Sequence, residues 1–145
     1  MREIFFRGQT RRKGQKVWMD GSPVEGNWVY GGVCHGTGDF SIIYGNLDEE
    51  RERPTEKWVV YTDTVGQFTG LTDKNGKKIF EGDIVRYMNK ETMVVVWNND
   101  SASFAIAYSA INFNYLATIS SAHIYLEVIG NIHDNPELLG GVEDG

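Results

Sequence analysis

The stretch GQFTGLTDKNGKKIFEGDIV, residues 66–85, constrains the fold of this chain more than any other. Gly70, Gly76 and Gly82 recur at intervals of six, with β-branched and aromatic residues between them. Glycine reaches positive φ without steric penalty, so this punctuation reads as short strands joined by tight turns. Asp73-Lys74-Asn75-Gly76 offers the Asn and Gly of a hairpin tip, with Leu71 before it and Ile79-Phe80 after it to pair across. A phosphate-binding loop fits poorly. It requires GxxxxGK[ST], in which lysine supplies charge and the hydroxyl holds magnesium. Here Gly76-Lys77 is followed by Lys78, and in Gly31 to Thr37 the lysine position holds Thr37. A dinucleotide GxGxxG starting at Gly36 fails at Ser41, and a calcium loop around Asp73 and Asn75 lacks its glycine register and closing glutamate.

The rest of the chain is punctuated in the same way, and long helical periodicity is nearly absent. Residues 2–7 and 15–19 read as strands joined by the polar turn Thr10 to Gly14. Residues 27–35 and 39–44 read as a hairpin around Gly36-Thr37-Gly38. LDEERERPTEK (47–57) has the composition of a solvated loop or a short helix stopped by Pro54, and Trp58 to Tyr61 reads as a strand. A meander follows: DIVRYM (83–88), a turn at Asn89-Lys90-Glu91, MVVVW (93–97), a turn at Asn98-Asn99-Asp100, and FAIAY (104–108). In FAIAY large and small side chains alternate, which gives one bulky core face and one small face that admits a neighbouring layer. Residues 109–122 fit either a short helix or a strand. EVIGNIH (127–133) closes the set, and Pro136 to Leu139 reads as one helical turn with proline at its first position. The expected fold is mainly β with little helix: a small N-terminal β subdomain over residues 1–62, assigned to self-association, and an SH3-like barrel over residues 63–145.

Length and charge bound the function. A 145-residue chain buries roughly 68–70% of its unfolded surface and needs no staple, and Cys34, the only cysteine, cannot close an intrachain disulfide. The apolar run Ile4-Phe5-Phe6 is too short for a signal-peptide core, so the expectation is a cytoplasmic protein without a membrane span. The formal charge of −6 is unevenly spread: residues 1–20 hold six basic and two acidic side chains, and the remainder hold 8 basic and 18 acidic. An acidic body repels a polyanion at long range, while a local basic edge can still bind one.

Catalytic and metal signatures are weak. Cys34 and His35 are adjacent on an expected strand and point to opposite faces, so they form neither a chelate nor a nucleophile–base pair. His123 and His133 lack ligands nearby in sequence, GxSxG is absent, and no lysine has an acid two positions before it. The expectation is no catalytic residues, no metal and no cofactor. Two patches stand out. Arg7, Arg11, Arg12, Lys13 and Lys16 form a basic edge near Phe5, Phe6 and Trp18, the residue types that bind phosphates and stack on bases. Asp48, Glu49 and Glu50 offer an acidic partner for Arg11, Arg12 and Lys13 of a neighbouring subunit. Lys74, Lys77 and Lys78 form a second basic tip.

MREIFFRG (1–8), DTVGQFTGLTDKNGKKIFEGDIV (63–85), VVVW (94–97) and EVIGNIHDNPELL (127–139) together resemble the YopX family of phage and prophage proteins. The resemblance implies a protein encoded in phage or prophage DNA and expressed in a bacterial cytoplasm, with an SH3-like C-terminal part and a tendency to self-associate. It implies no catalytic residues. The expected function is a noncatalytic, homo-oligomeric interaction module that binds a phage or host protein, with a nucleic-acid-binding accessory role through the basic edge as the alternative.

Overall fold

A computed structural model describes residues 5–10, 17–19, 22–24, 28–48, 53–108 and 115–139. The chain divides into two compact units, Met1–Gln67 and Phe68–Gly145. It is mainly β, with one short α-helix among the described residues.

In the N-terminal unit, β1 (Phe6–Gln9) is followed by β2 (Val17–Met19), β3 (Ser22–Val24), β4 (Trp28–Gly31), β5 (Val33–Thr37), β6 (Phe40–Asp48) and β7 (Arg53–Tyr61). β1 does not pair with β2, as sequence proximity suggested. It runs antiparallel to β4, with Arg7 opposite Tyr30, and on its other side Phe6 and Arg7 pair with Gln67 and Gly66. β2 pairs instead with β3, a closer partner in sequence. The charged segment 47–57 is likewise neither loop nor helix over its described part: Leu47 pairs with Pro54 and Asp48 with Arg53, which extends the β6–β7 ladder down from Phe40–Tyr61. Once a ladder is registered by its buried residues, it carries polar neighbours along with it.

The β5–β6–β7 sheet buries Ser41, Ile43 and Val60 on its inner side. A Cβ on Gly8 would come within 2.8 Å of Val60 Cγ2, and one on Gly31 would collide with the Tyr44 carbonyl oxygen. Glycine at these two positions lets β1 and β4 lie close against that side.

In the C-terminal unit, β8 (Gly66–Thr72) continues past the division and turns back into β9 (Lys78–Phe80) across the expected Asp73–Gly76 tip. Then come β10 (Asp83–Tyr87), β11 (Glu91–Asn98), β12 (Ser103–Ala107), β13 (Tyr115–Thr118), α1 (Ile119–Ala122) and β14 (Leu126–Asn131). The five strands form an antiparallel sheet of order β13-β12-β11-β10-β14. No closed barrel forms among the described residues, because β13 and β14 are the sheet's two edges. Residues 115–122, for which the sequence allowed either strand or helix, are a strand followed by one helical turn, with the Thr118 side chain accepting from the Ser121 amide as its N-cap. Pro136–Leu139 is the expected helical turn, of the 3-10 kind.

Two turn residues join the β8–β9 hairpin to the sheet. The Asp73 carboxylate is buried; Oδ1 accepts from the Asn75 and Lys77 amides at 2.8 and 2.9 Å, and Oδ2 accepts from the Val128 amide at 2.9 Å. Burial pulls this carboxyl up, but the amides of Val128, Lys77 and Asn75, together with the Lys77 charge, outweigh it and hold the group below the ordinary aspartate range. Gly82, at φ +91°, donates to the Val95 carbonyl and accepts from the Ile132 amide, both at 2.9 Å, while the Asp83 carboxylate accepts from the Phe80 amide at 2.7 Å.

Around the sheet, Val85, Met93, Val95 and Ile106 face Ile79, Ile119, Ala122 and Leu126 on one side. On the other, Val94, Val96 and Ala107 meet Ile132 and Leu139, so the small face of β12 is covered by the C-terminal helical turn. The strand ends at Ala107, which leaves Tyr108 exposed rather than on the bulky core face. The β10–β11 tip also lies one residue earlier than the sequence suggested: Met88 and Asn89 both take positive φ (53° and 61°), the Lys90 amide donates to the Tyr87 carbonyl, and Glu91 belongs to β11. This is the geometry of a type I′ turn, which suits Asn but strains Met.

Two outcomes follow for stability. Asp73→Asn should cost about 2–3 kcal/mol near neutral pH, because charged acceptors make the stronger hydrogen bonds and one amide loses its oxygen. The folded pKa of Asp73 lies below the unfolded one, so its contribution is complete above about pH 3.9 and is lost as the pH falls through the lower folded value. Urea denaturation between pH 2 and 6, as an experimental range chosen around that aspartate value, should therefore show a shallower loss of stability below about pH 4 in the variant; an unchanged slope would remove Asp73 from the account. Met88→Asn should raise the urea midpoint by an amount equivalent to about 0.5–1 kcal/mol, with an unchanged m-value. Met88 is 55% exposed, so little packing is lost.

Candidate functional site

The N-terminal unit carries the main surface feature. In FSIIY (40–44) every position but Ser41 is apolar, and WVVY (58–61) has no polar residue apart from the tyrosine hydroxyl, so these strands present apolar side chains to both sides of their sheet. With Ser41, Ile43 and Val60 turned inward, alternation places Phe40, Ile42 and Tyr44 of β6 and Val59 and Tyr61 of β7 on the outer side. The register sets Phe40 opposite Tyr61 and Ile42 opposite Val59, with His35 of β5 beside Ile42. Val59 is 59% exposed and Phe40 49%.

A cleft of about 540 Å³ opens at one end of this surface, lined by Gly38, Asp39, Phe40, Tyr61, Thr62 and Asp63. Its aromatic wall is the Phe40–Tyr61 pair, ring centroids 5.2 Å apart and tilted by 35°. Asp39 and Asp63, both exposed, stand beside those rings in sequence, one on the Gly38-Asp39 hairpin tip and the other in a 3-10 turn, Thr62–Thr64. The backbone holds these two segments together: the Thr62 amide donates to the Asp39 carbonyl at 2.9 Å, and the Ser41 and Thr62 hydroxyls share a hydrogen bond of 2.8 Å. Behind them the buried Thr64 hydroxyl donates to the Tyr61 carbonyl at 2.7 Å and accepts from the Gln9 amide at 2.8 Å. The cleft walls are therefore fixed by backbone bonds as well as side-chain packing.

The residues singled out from sequence occupy different environments. Arg7 is buried in β1, its guanidinium 4.7 Å from the centre of the Trp28 ring. Arg11, Arg12, Lys13, Lys16, Glu49 and Glu50 lie outside the described residues, and Asp48 is placed by its backbone as the last residue of β6. Lys74, Lys77 and Lys78 are exposed around the β8–β9 hairpin, where Lys74 Nζ donates to Asn89 Oδ1 at 2.8 Å and Lys78 Nζ lies 4.7 Å from the Phe68 ring centre. Cys34 is half-buried, and burial pushes its thiol up, away from the reactive thiolate. His123 Nδ1 donates to the Thr72 carbonyl at 2.9 Å, which gives that ring a structural tie. Among the described residues no group of three or more His, Cys, Asp or Glu side chains is arranged to hold a metal ion, and no helix is long and apolar enough to cross a membrane.

The outer apolar surface and the cleft were not identified as sites from the sequence. Their signal was the lack of alternation at 40–44 and 58–61, a pattern expected of strands that meet apolar partners on both sides.

Comparison with known proteins gives a family. No curated protein matches the chain. The crystal structure of protein EF1440 from Enterococcus faecalis is 24% identical, with the match covering 93% of this chain and 96% of that one at a TM-score of 0.43. The family model described as YopX protein matches residues 34–140, which include three of the four motifs that suggested it. Over most of its length, then, this chain carries the sequence pattern of the YopX family, and it belongs to that family.

Proposed function

We propose that this protein is a noncatalytic, self-associating interaction module of phage or prophage origin, acting in the cytoplasm of a bacterial host, and that the outer side of its β5–β6–β7 sheet packs on a second copy. The observation that carries this reading is the exposure of Phe40 and Val59 on one sheet surface beside Ile42, Tyr44 and Tyr61. Contiguous apolar surface of this kind marks interaction sites in soluble proteins. Its size bears on the choice of occupant. β6 and β7, nine residues each, and β5, five residues, together cover about 360 Å² in projection, against about 800 Å² per partner in a standard interface.

A second contribution is needed, and charge supplies one. Residues 1–20 carry six basic and two acidic side chains, while the rest carry 8 and 18, so two copies offer each other complementary regions. Arg11, Arg12 and Lys13 of one copy meeting Asp48, Glu49 and Glu50 of the other is one such pairing. The C-terminal unit fits an opened SH3-like module: a four-strand meander, a helical turn, and β14 returning to pair with the first meander strand, β10. Through it the assembly would engage a phage or host protein. The burial of Arg7 against Trp28 favours this reading over a nucleic-acid-binding edge built on Arg7 and its neighbours.

Light scattering coupled to size exclusion should give a discrete multiple of 16.4 kDa in low salt, with a protein-like 260/280 nm absorbance ratio. Val59→Lys, at an exposed position, should shift the mass toward 16.4 kDa, and so should higher salt. A wild-type monomer would end the self-association reading; a peak carrying nucleic acid would replace it with the accessory-protein role.

A further inference from the structure

The cleft at the end of the apolar surface is not explained by strand packing alone. We propose that it is a receptor for an arginine side chain presented by a protein partner. The inference deepens the interaction-module reading, since Phe40 and Tyr61 belong both to the cleft and to the docking surface, but it has its own readout.

Three features of the cleft select the ligand chemistry. The cleft is open to solvent and, at about 540 Å³, has room for one side chain. Its wall is an aromatic pair, whose ring faces attract cations. Its lining carries two carboxylate residues, Asp39 and Asp63, and no basic one, which disfavours phosphate and carboxylate ligands. A tightly held divalent ion needs a fuller shell of oxygen ligands than these two carboxylates provide, and among the described residues no cluster of three metal-ligating side chains occurs.

Arginine meets both chemistries at once. The planar guanidinium can stack on an aromatic face while its fork of N–H donors reaches carboxylates, and it is more weakly hydrated than the lysine ammonium. The site is also prepared before binding. The Thr62 amide to Asp39 carbonyl bond and the Ser41–Thr62 hydroxyl bond hold the two lining segments at fixed separation, so less ordering cost falls on association.

The test is an amide-resolved NMR titration of the full ¹⁵N-labelled chain, as wild type and as Val59→Lys, with N-acetyl-arginine-N-methylamide as the probe. The matching lysine and citrulline compounds serve as controls; citrulline keeps the shape of arginine and removes the charge. Saturable shifts should be confined to residues 38–40 and 61–63, with a dissociation constant on the order of millimolar, as suits one partly exposed cation. Binding should weaken roughly tenfold for citrulline, and less steeply for lysine. It should weaken by a similar factor for arginine on an Asp39→Asn/Asp63→Asn variant whose other resonances are unmoved. Absence of a saturable shift at those residues, or equal binding of either control, would overturn the proposal. The two readings separate cleanly: cleft binding with a monomeric mass rejects only self-association, and an oligomeric mass with a silent cleft in Val59→Lys rejects only the arginine receptor.

Discussion

The C-terminal unit depends most on one buried carboxylate. β9 is only three residues long, and a hairpin of that size is marginal by itself in water. Asp73 changes its situation by accepting two amides from its own turn and one from Val128 in β14, so that a local tip becomes a junction with the sheet. The adjacent Lys74 amide, donating to the Leu126 carbonyl at 2.9 Å, reinforces the same junction. Gly82 provides the second fastening, between the end of the hairpin and both β11 and the end of β14. With the hairpin held at these two points, Ile79 is fully buried among Val85, Met93 and Ile106. Burial of one such side chain is worth about 1.5–3 kcal/mol, comparable to the hydrogen bonds that place it there, so turn chemistry and core packing contribute on the same scale.

The sheet itself shows how side-chain size sets layer spacing. Phe104 and Ile106 of β12 fill the larger cluster, and Ala107 lies on the opposite side with Val94 and Val96. Small residues there leave room for Ile132 and Leu139, so a short 3-10 turn can cover a surface that would otherwise need a full helix. β14 thus extends the sheet past β10 and forms one of its edges, and the segment after it shields one of the two faces.

What could be read from the sequence divides along a physical line. Turns and helix ends are set by nearby residues, and the Asp73–Gly76 tip, the Pro136 turn and the order of the meander were legible there. Strand partners are set by distant ones. Nothing local in FRGQ indicates that β1 belongs beside β4 rather than β2, because the deciding contact is the approach of Gly8 to Val60 and Ile43. The charged segment 47–57 was misread for the same reason: its composition suits solvent, and its conformation follows a ladder registered farther along by Ile43 and Val60. Arg7 illustrates the corresponding limit on sites. By composition it joins a basic edge, yet β1 is paired on both sides and Trp28 lies against the guanidinium, which puts it indoors.

The apolar surface and the cleft complement each other physically. In the N-terminal unit Ile43 and Val60, on the inner side of β6 and β7, are covered at close range, since glycine at positions 8 and 31 brings backbone against them. The outer side has similar hydrophobicity but leaves Phe40 and Val59 in water. Burying such surface is favourable and nondirectional: it holds a partner without fixing which partner or in what orientation. Directional chemistry is concentrated at the end of the sheet, where the Gly38-Asp39 tip and the Thr62–Thr64 turn bring Asp39 and Asp63 into the cleft that the aromatic pair also lines. An interface built this way would draw its affinity from the centre of the sheet and its specificity from the rim, because a charge buried opposite the wrong group costs more than an imperfect apolar contact.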